Sequence, residues 1–156
     1  MKRELTLTDI AGYLDHPLLG QHPTGAICWI DVEFIVQHGI ALAGYKPVLR
    51  PMSDLCEEIT DQGYNEGKPF VPLIELTKAG VPKYDYYKFL DACGIVECNM
   101  QNSNDINHLV YYSHSPHACS YMEIDLLHRL HLDYRGLIDA GLAVSVHDLP
   151  TNPYEA

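Results

Sequence analysis

Five histidines, His108, His114, His117, His128 and His131, fall within 24 residues of this 156-residue chain, with Cys119 and Asp125 among them and Asp133 just after. Imidazole and thiolate are the usual protein ligands of zinc, which gathers them tetrahedrally. His114-Ser-Pro-His117-Ala-Cys119 offers three such groups on one loop, and Cys93 and Cys98 offer a second pair. Paired cysteines of structural zinc sites are usually separated by two residues, whereas four separate Cys93 from Cys98. His128-Arg-Leu-His131-Leu-Asp133 sets two histidines three apart on one helix face. Zinc proteases space them by four with Glu beside the first, the place that Arg129 takes here. The plainer reading makes His131 and Asp133 the anchors of a helix end, with His131 donating a hydrogen bond to a carbonyl or to the carboxylate. Under the metal reading the ligands are His114, His117, Cys119, His128, His131 and Asp133, serving a zinc-stabilised fold or a metal-dependent hydrolase. Apart from that zinc, no cofactor is expected.

Other chemistry has less support. There is no Gly-x-Ser-x-Gly elbow, no phosphate-cradling glycine loop and no dinucleotide fingerprint. Cys56 stands beside Glu57 and Glu58, whose charge opposes thiolate formation, so it reads as a structural thiol. Arg50 lies between Pro47 and Pro51 on a stiff segment, where a cation locks a connector to a neighbouring carboxylate; Asp54 and Glu58 are the local choices, and ligand binding is the sharper alternative. The chain has 11 tyrosines, including Tyr84-Asp-Tyr86-Tyr87 and Tyr111-Tyr112. Exposed tyrosine among acids makes a protein-binding surface, since it supplies contact area at low entropy cost. Tyr86, Tyr111, Tyr112, Glu97, Asp105 and Arg50 are the candidate binding residues on that view. The plainer view has Tyr86 and Tyr112 covering core edges with their hydroxyls wet.

Charge narrows the partners. Asp and Glu number 21 against 10 Lys and Arg, a formal charge of −11. Neutralising a phosphate backbone takes clustered Lys and Arg, and none occurs between Lys88 and Arg129, a gap that holds Asp91, Glu97, Asp105, Glu123 and Asp125. Direct nucleic-acid binding is therefore excluded, and so is an anionic membrane surface. No apolar run approaches the ~20 residues of a spanning helix. Thr6, Thr8 and Asp9 interrupt the N-terminus where a signal peptide would be apolar, and the five cysteines are an odd number; both point to reduced thiols in a cytoplasm.

The elements that must position these residues are short. The length suits a single α+β domain over 1–150 with a mobile tail at 151–156. Thr8-Asp9 opens a helix that Asp15-His16-Pro17 closes. Residues 26–36 alternate apolar and polar and read as the clearest strand; His38-Gly39 turns it into a second at 39–44, and a third lies near 142–147, giving a short antiparallel sheet. Two prolines make 46–51 an extended connector unfit for a central strand. Further helices are expected from Ser53 or Asp54 to Ile59, at 73–78, over 84–94 and, longest, near 120–134; Ile95–Cys98 reads as a brief strand and 99–107 as a loop.

Three stretches carry a resemblance. Leu49-Arg-Pro-Met-Ser-Asp-Leu55 with Glu58-Ile59, Phe70-Val-Pro-Leu73, and His131-Leu-Asp133 followed by Gly136-Leu-Ile-Asp-Ala-Gly-Leu-Ala143 resemble, in that order, uncharacterised short proteins of phages and prophages of Bacteroides-type gut bacteria. The likeness covers roughly 46–146 apart from 92–119. Leu130 stands where those proteins show Trp, and Tyr134-Arg135 where they show two apolar residues. The resemblance implies a phage origin and a bacterial host cytoplasm, and no activity. The sequence as a whole points to a non-enzymatic accessory protein that binds a protein partner through an acidic, tyrosine-bearing surface, such as a host defence or nucleic-acid-binding enzyme that it would inhibit. The rivals are the metal-dependent hydrolase or zinc-stabilised domain, and a homo-oligomeric structural component.

Overall fold

In the computed structural model, which describes residues 3–39, 42–78 and 121–156, the first helix is capped at Thr6 rather than at Thr8-Asp9. The Asp9 carboxylate reaches back to accept from the Thr6 N–H and the Thr6 hydroxyl, both at 2.9 Å, and from Arg3. This is the return arm of a capping box, with Asp in the place of Glu. Burial works to raise the Asp9 carboxyl, but the Thr6 donors and Arg3 outweigh it and hold it below its ordinary value. Helix α1, Leu7–Ile10, tightens into a 3-10 turn over Ala11–Asp15 and stops before Pro17, as the sequence predicts. Ile10 and Tyr13 are fully buried.

The class is α+β, built on four short strands: β1 Leu18–Gln21, β2 Ile27–Ile30, β3 Lys46–Leu49 and β4 Val144–Ser145. Their order is β2-β1-β3-β4. β1 runs antiparallel to β2 and β3, while β3 and β4 are parallel, so the sheet is mixed rather than antiparallel. β1, which the sequence did not signal, is joined to β2 by a turn closed by His22 N–H to Ala26 O and Gly25 N–H to His22 O, each 2.8 Å, with Gly25 in the left-handed region at φ 93°. That turn fixes the phase of the ladder. His22 and Ala26 are a bonded pair, so by alternation Gly20↔Cys28 and Leu18↔Ile30 are bonded and Gln21↔Ile27 and Leu19↔Trp29 are not.

The same alternation corrects the reading of 46–51 as a connector, because 46–49 is a central strand. Gln21 and Leu19 direct their peptide groups at β3, so Gln21↔Lys46 is the bonded pair and Gly20↔Pro47 is not. Pro47 thus turns its missing N–H away from β1, toward the side where pairing with β4 starts only at Val48. Locally it is an edge residue, and the bar on proline in central strands does not apply.

Two strand expectations are revised. Only Ile27–Ile30 of the 26–36 run is extended; α2 occupies Val32–His38. The Asp31 carboxylate accepts the Phe34 N–H at 2.7 Å, and Gly39, φ 78°, ends the helix by donating to Ile35 O. Aspartate cap and left-handed glycine override the alternation between them. Of the expected strand at 39–44, Leu42–Gly44 form a left-handed turn with φ 55°, 50° and 88°, and Ile40 and Ala41 lie outside the described residues.

The contacts divide into two units, one drawn from Met1–Pro51 and His131–Pro153 and the other from Met52–Leu130 and Tyr154–Ala156, where the sequence suggested one domain. In the second unit a 3-10 turn, Met52–Cys56, stands for the helix expected to Ile59, and α3 covers Pro72–Lys78 with proline in the first turn. Ile59 and Phe70 exchange backbone bonds of 2.8 and 2.9 Å. Between them Tyr64 donates to Glu75 Oε2 at 2.8 Å, and Arg129 stacks 5.1 Å from its ring while bonding Gly63 O. Burial, then the Glu75 acceptor and charge, push the Tyr64 hydroxyl up to about 12, with Arg129 opposing. Arg129 closes α4, Tyr121–Arg129, which ends short of the expected 134. In the stretch expected as a tail, Tyr154 is buried, its carbonyl accepts from Gln62 N–H, and Ala156 N–H reaches Thr60. The expected helix 84–94, strand 95–98 and loop 99–107 lie outside the described residues.

Gly20 tests the tightness of the sheet. A Cβ there would stand 2.3 Å from Ile30 Cδ1, 2.9 Å from its Cγ1 and 3.4 Å from Lys46 O. Gly20→Val is expected to cost about 1–3 kcal/mol by overpacking, read as a lower urea midpoint at unchanged slope, with Gly20→Ala in between. A wild-type midpoint for the valine variant would refute the close approach.

Candidate functional site

The sequence-marked residues of the first unit converge at one backbone junction. Arg50, directly after β3, donates its N–H to His131 O at 2.7 Å and accepts from Asp133 N–H at 2.9 Å, forming a parallel bridge with Leu132. Tyr13 caps the junction by donating its hydroxyl to Leu132 O at 2.6 Å. Arg50 has no exposed surface, and His131 and Asp133 are 3% and 6% exposed. Arg50 is therefore an interior residue, not the surface contact of the binding reading. His131 sits in the left-handed region at φ 56°, the bend by which the chain leaves its helix.

Electrostatics at this junction favour the structural role. Burial, followed by the Arg50 charge, lowers His131 to about 3; the Pro17 carbonyl opposes them and His16 adds to them. The imidazole is neutral at physiological pH. Asp133 spends both carboxylate oxygens on the backbone, accepting Leu137 N–H and Ile138 N–H at 2.8 Å each. Burial raises its carboxyl, and those two N–H groups oppose the rise. These anchors build the turn that leads through Gly136 to β4. His128, the third metal candidate among the described residues, is half-buried on α4 in the other unit. Among the described residues no group of three or more His, Cys, Asp or Glu is placed to hold a metal ion. His114, His117 and Cys119, and the binding candidates Tyr86, Tyr111, Tyr112, Glu97 and Asp105, lie outside the described residues.

Two surface features remain in the first unit. One is a cleft of about 690 Å³ lined by Arg3, Glu4, Leu5, Thr6, Leu7, Gly44, Tyr45, Lys46, Gly141 and Leu142. Its cations are offset by Glu4 and by the Asp9 bond to Arg3, and no histidine or cysteine lines it among the described residues. The other is the β2–α2 segment, which sequence reasoning missed. Of the five large apolar residues exposed among the described residues, Ile27 at 43%, Trp29 at 57%, Val32 at 63% and Val36 at 79% fall within ten positions. Phe34 faces the other way, packing edge-on against Tyr45 at 5.5 Å and against His38 at 4.5 Å. Asp31 and Glu33 are exposed beside the valines. The available signal was the helix cap at Asp31: counted as a helix from Val32, positions 32 and 36 share one face with Glu33 adjacent.

No family model, curated protein or solved structure matches this chain. No helix among the described residues is long and apolar enough to cross a membrane.

The lowered His131 value fixes a pH dependence. The unfolded chain takes up a proton near the ordinary value of 6.5 while the folded chain does not until about 3, so His131 contributes a loss of stability as pH falls across that window. His131→Asn removes the titration and keeps a residue that tolerates positive φ. The wild-type minus variant stability, from urea unfolding between pH 7 and 4, is expected to fall with acid. Asp133, whose raised carboxyl acts with the opposite sign, is common to both proteins. A pH-independent difference would refute a buried neutral imidazole.

Proposed function

We propose that this protein is a non-enzymatic binding protein that captures a basic protein partner through the outward face of α2. The observation carrying this reading is the grouping of exposed apolar side chains on β2–α2, with Asp31 and Glu33 exposed at their margin. Single exposed apolar residues are ordinary on soluble proteins, but a group of them rimmed by charge is what interaction sites have. The formal charge of −11 adds long-range attraction for a basic partner and accelerates its capture. The phage and prophage proteins that the sequence resembles supply the setting, a bacterial cytoplasm in which an acidic protein engages the basic channel of a host defence or nucleic-acid enzyme. The tyrosine- and acid-rich stretch 84–112 belongs to the same reading as a second contact region.

The test compares capture of host proteins by the tagged wild-type chain and by Val32→Asp/Val36→Asp, at low and high salt. Loss of a hot-spot contact costs about 2 kcal/mol, roughly 30-fold in affinity. The expected result is a basic protein retained by the wild type at low salt, released by high salt, and at least tenfold depleted with the variant. Identical captured sets for the two proteins, or retention indifferent to salt, would overturn the proposal.

A further inference from the structure

The β2 strand offers a second surface, made of backbone rather than side chains, and its inference stands independently of the partner-binding reading. β2 is an outer strand of the sheet, with β1 on its inner side. The hairpin bond from His22 N–H to Ala26 O sets Cys28 and Ile30 facing β1, so Ile27 and Trp29 direct their N–H and C=O groups outward. Among the described residues no hydrogen bond takes these four groups. The same two residues expose their side chains, 43% and 57%.

We infer that this edge pairs antiparallel with β2 of a second copy of the chain, about a two-fold axis through Cys28. The pattern is its own complement. With Cys28 opposite Cys28 of the second copy, Ile27 faces Trp29 of the second copy and Trp29 faces its Ile27, and each pair exchanges two backbone bonds. All the outward groups of Ile27 and Trp29 are then satisfied. On one face of the joined sheet each indole lies beside an isoleucine, a favourable cross-strand pair. Cys28 falls at a non-bonded position, where opposed Cα atoms are about 4.5 Å apart.

Charge selects a second copy despite the overall −11. Residues 26–30 are uncharged and free of proline, so the seam lacks the lysines and prolines by which exposed edges are kept single. Asp31 would stand opposite Gly25 of the second copy, and the two Asp31 carboxylates would be six strand steps apart, roughly 20 Å. That exceeds the ~8 Å screening length at physiological salt. The opposite end of the sheet is protected differently, since β4 has only two residues. A four-residue seam is small against the ~1,200 Å² of a standard interface, so the dimer is weak, with a dissociation constant in roughly the micromolar range.

Trp29 is the only tryptophan, so it reports on this seam directly. Sedimentation equilibrium of the full chain over a concentration series is expected to give a monomer–dimer equilibrium, with Trp29 emission moving to the blue as dimer forms. Ile27→Pro removes an outward N–H and leaves the bonds to β1 in place; it should raise the dissociation constant at least tenfold. Trp29→Lys, which puts a charge on the edge and keeps the backbone, should do the same should the proline variant fail to fold. Diamide, which takes two electrons and two protons from a pair of thiols, should join the dimer through a Cys28–Cys28 peptide found by mass spectrometry. A chain that is monomeric at every concentration, or a dimer that persists in both folded variants without the Cys28 cross-link, would overturn the inference. A monomeric wild type that still captured a basic protein would overturn this inference alone.

Discussion

The first unit depends on an exchange of two backbone hydrogen bonds around one buried cation. Arg50 gives its N–H to His131 and takes the N–H of Asp133, which brings a segment more than 80 residues later in the chain alongside the end of β3. Burying a guanidinium completely costs several kcal/mol unless its surroundings answer the charge. The neighbouring imidazole is kept neutral by burial and by Arg50 itself, so no second cation competes in the same interior. Tyr13 closes the Leu132 carbonyl, and Asp133 spends its charge on two peptide N–H groups. The Tyr13 hydroxyl, the Asp133 carboxylate and the Arg50 backbone thus all serve the fold at this junction.

From this junction follow the sheet and its mixed direction. Once Leu132 lies parallel to Arg50, the turn built on Asp133 and the left-handed Gly136 and Gly141 bring the chain back so that Val144 and Ser145 extend the same parallel register along Val48 and Leu49. Parallel pairing needs a long crossover, and here almost a hundred residues separate the two strands. β1 and β2 join from the other side as a local hairpin. The sheet is therefore a short-range motif and a long-range one meeting at β3.

What the sequence makes legible are features written in adjacent residues. The first helix and its proline stop, the helix that the sequence places at 73–78 and the strand near 144 are readable because cap, breaker or turn residues lie within a few positions. The mixed sheet was not, because its direction is set by the pairing of Arg50 with Leu132. β1 escaped notice as four residues between Pro17 and Pro23, too short for periodicity to register. The segment 26–36 misled because strand-like alternation extends across a helix cap, and Asp31 and Gly39 decided the outcome at two positions. Pro47 is unreadable for the opposite reason: which neighbour its missing donor faces is set by the phase of the β1–β2 ladder and not by the proline itself. As for the candidate site, the sequence marks Arg50 as a binding candidate and His131 and Asp133 separately as metal ligands or helix anchors; that they meet is set by the long-range pairing of Arg50 with Leu132, which no local pattern records.

The surface of the first unit is then the complement of its interior. Three polar residues that the sequence offers for binding or catalysis are consumed in holding the fold, while four large apolar residues, Ile27, Trp29, Val32 and Val36, are left outside. Leaving an indole and three aliphatic side chains 43–79% exposed forgoes part of the roughly 1.5–3 kcal/mol that full burial supplies for an aliphatic side chain. Nothing in the local geometry requires it, since Asp31 caps α2 whatever stands at 32 and 36, and a four-residue strand pairs with β1 whatever stands at 27 and 29. Exposure of this kind, grouped and rimmed by charge, is what association would recover. The apolar area that the isolated fold leaves uncovered is what makes β2 and α2, rather than the acidic stretch that composition brings forward, the surface proposed for interaction.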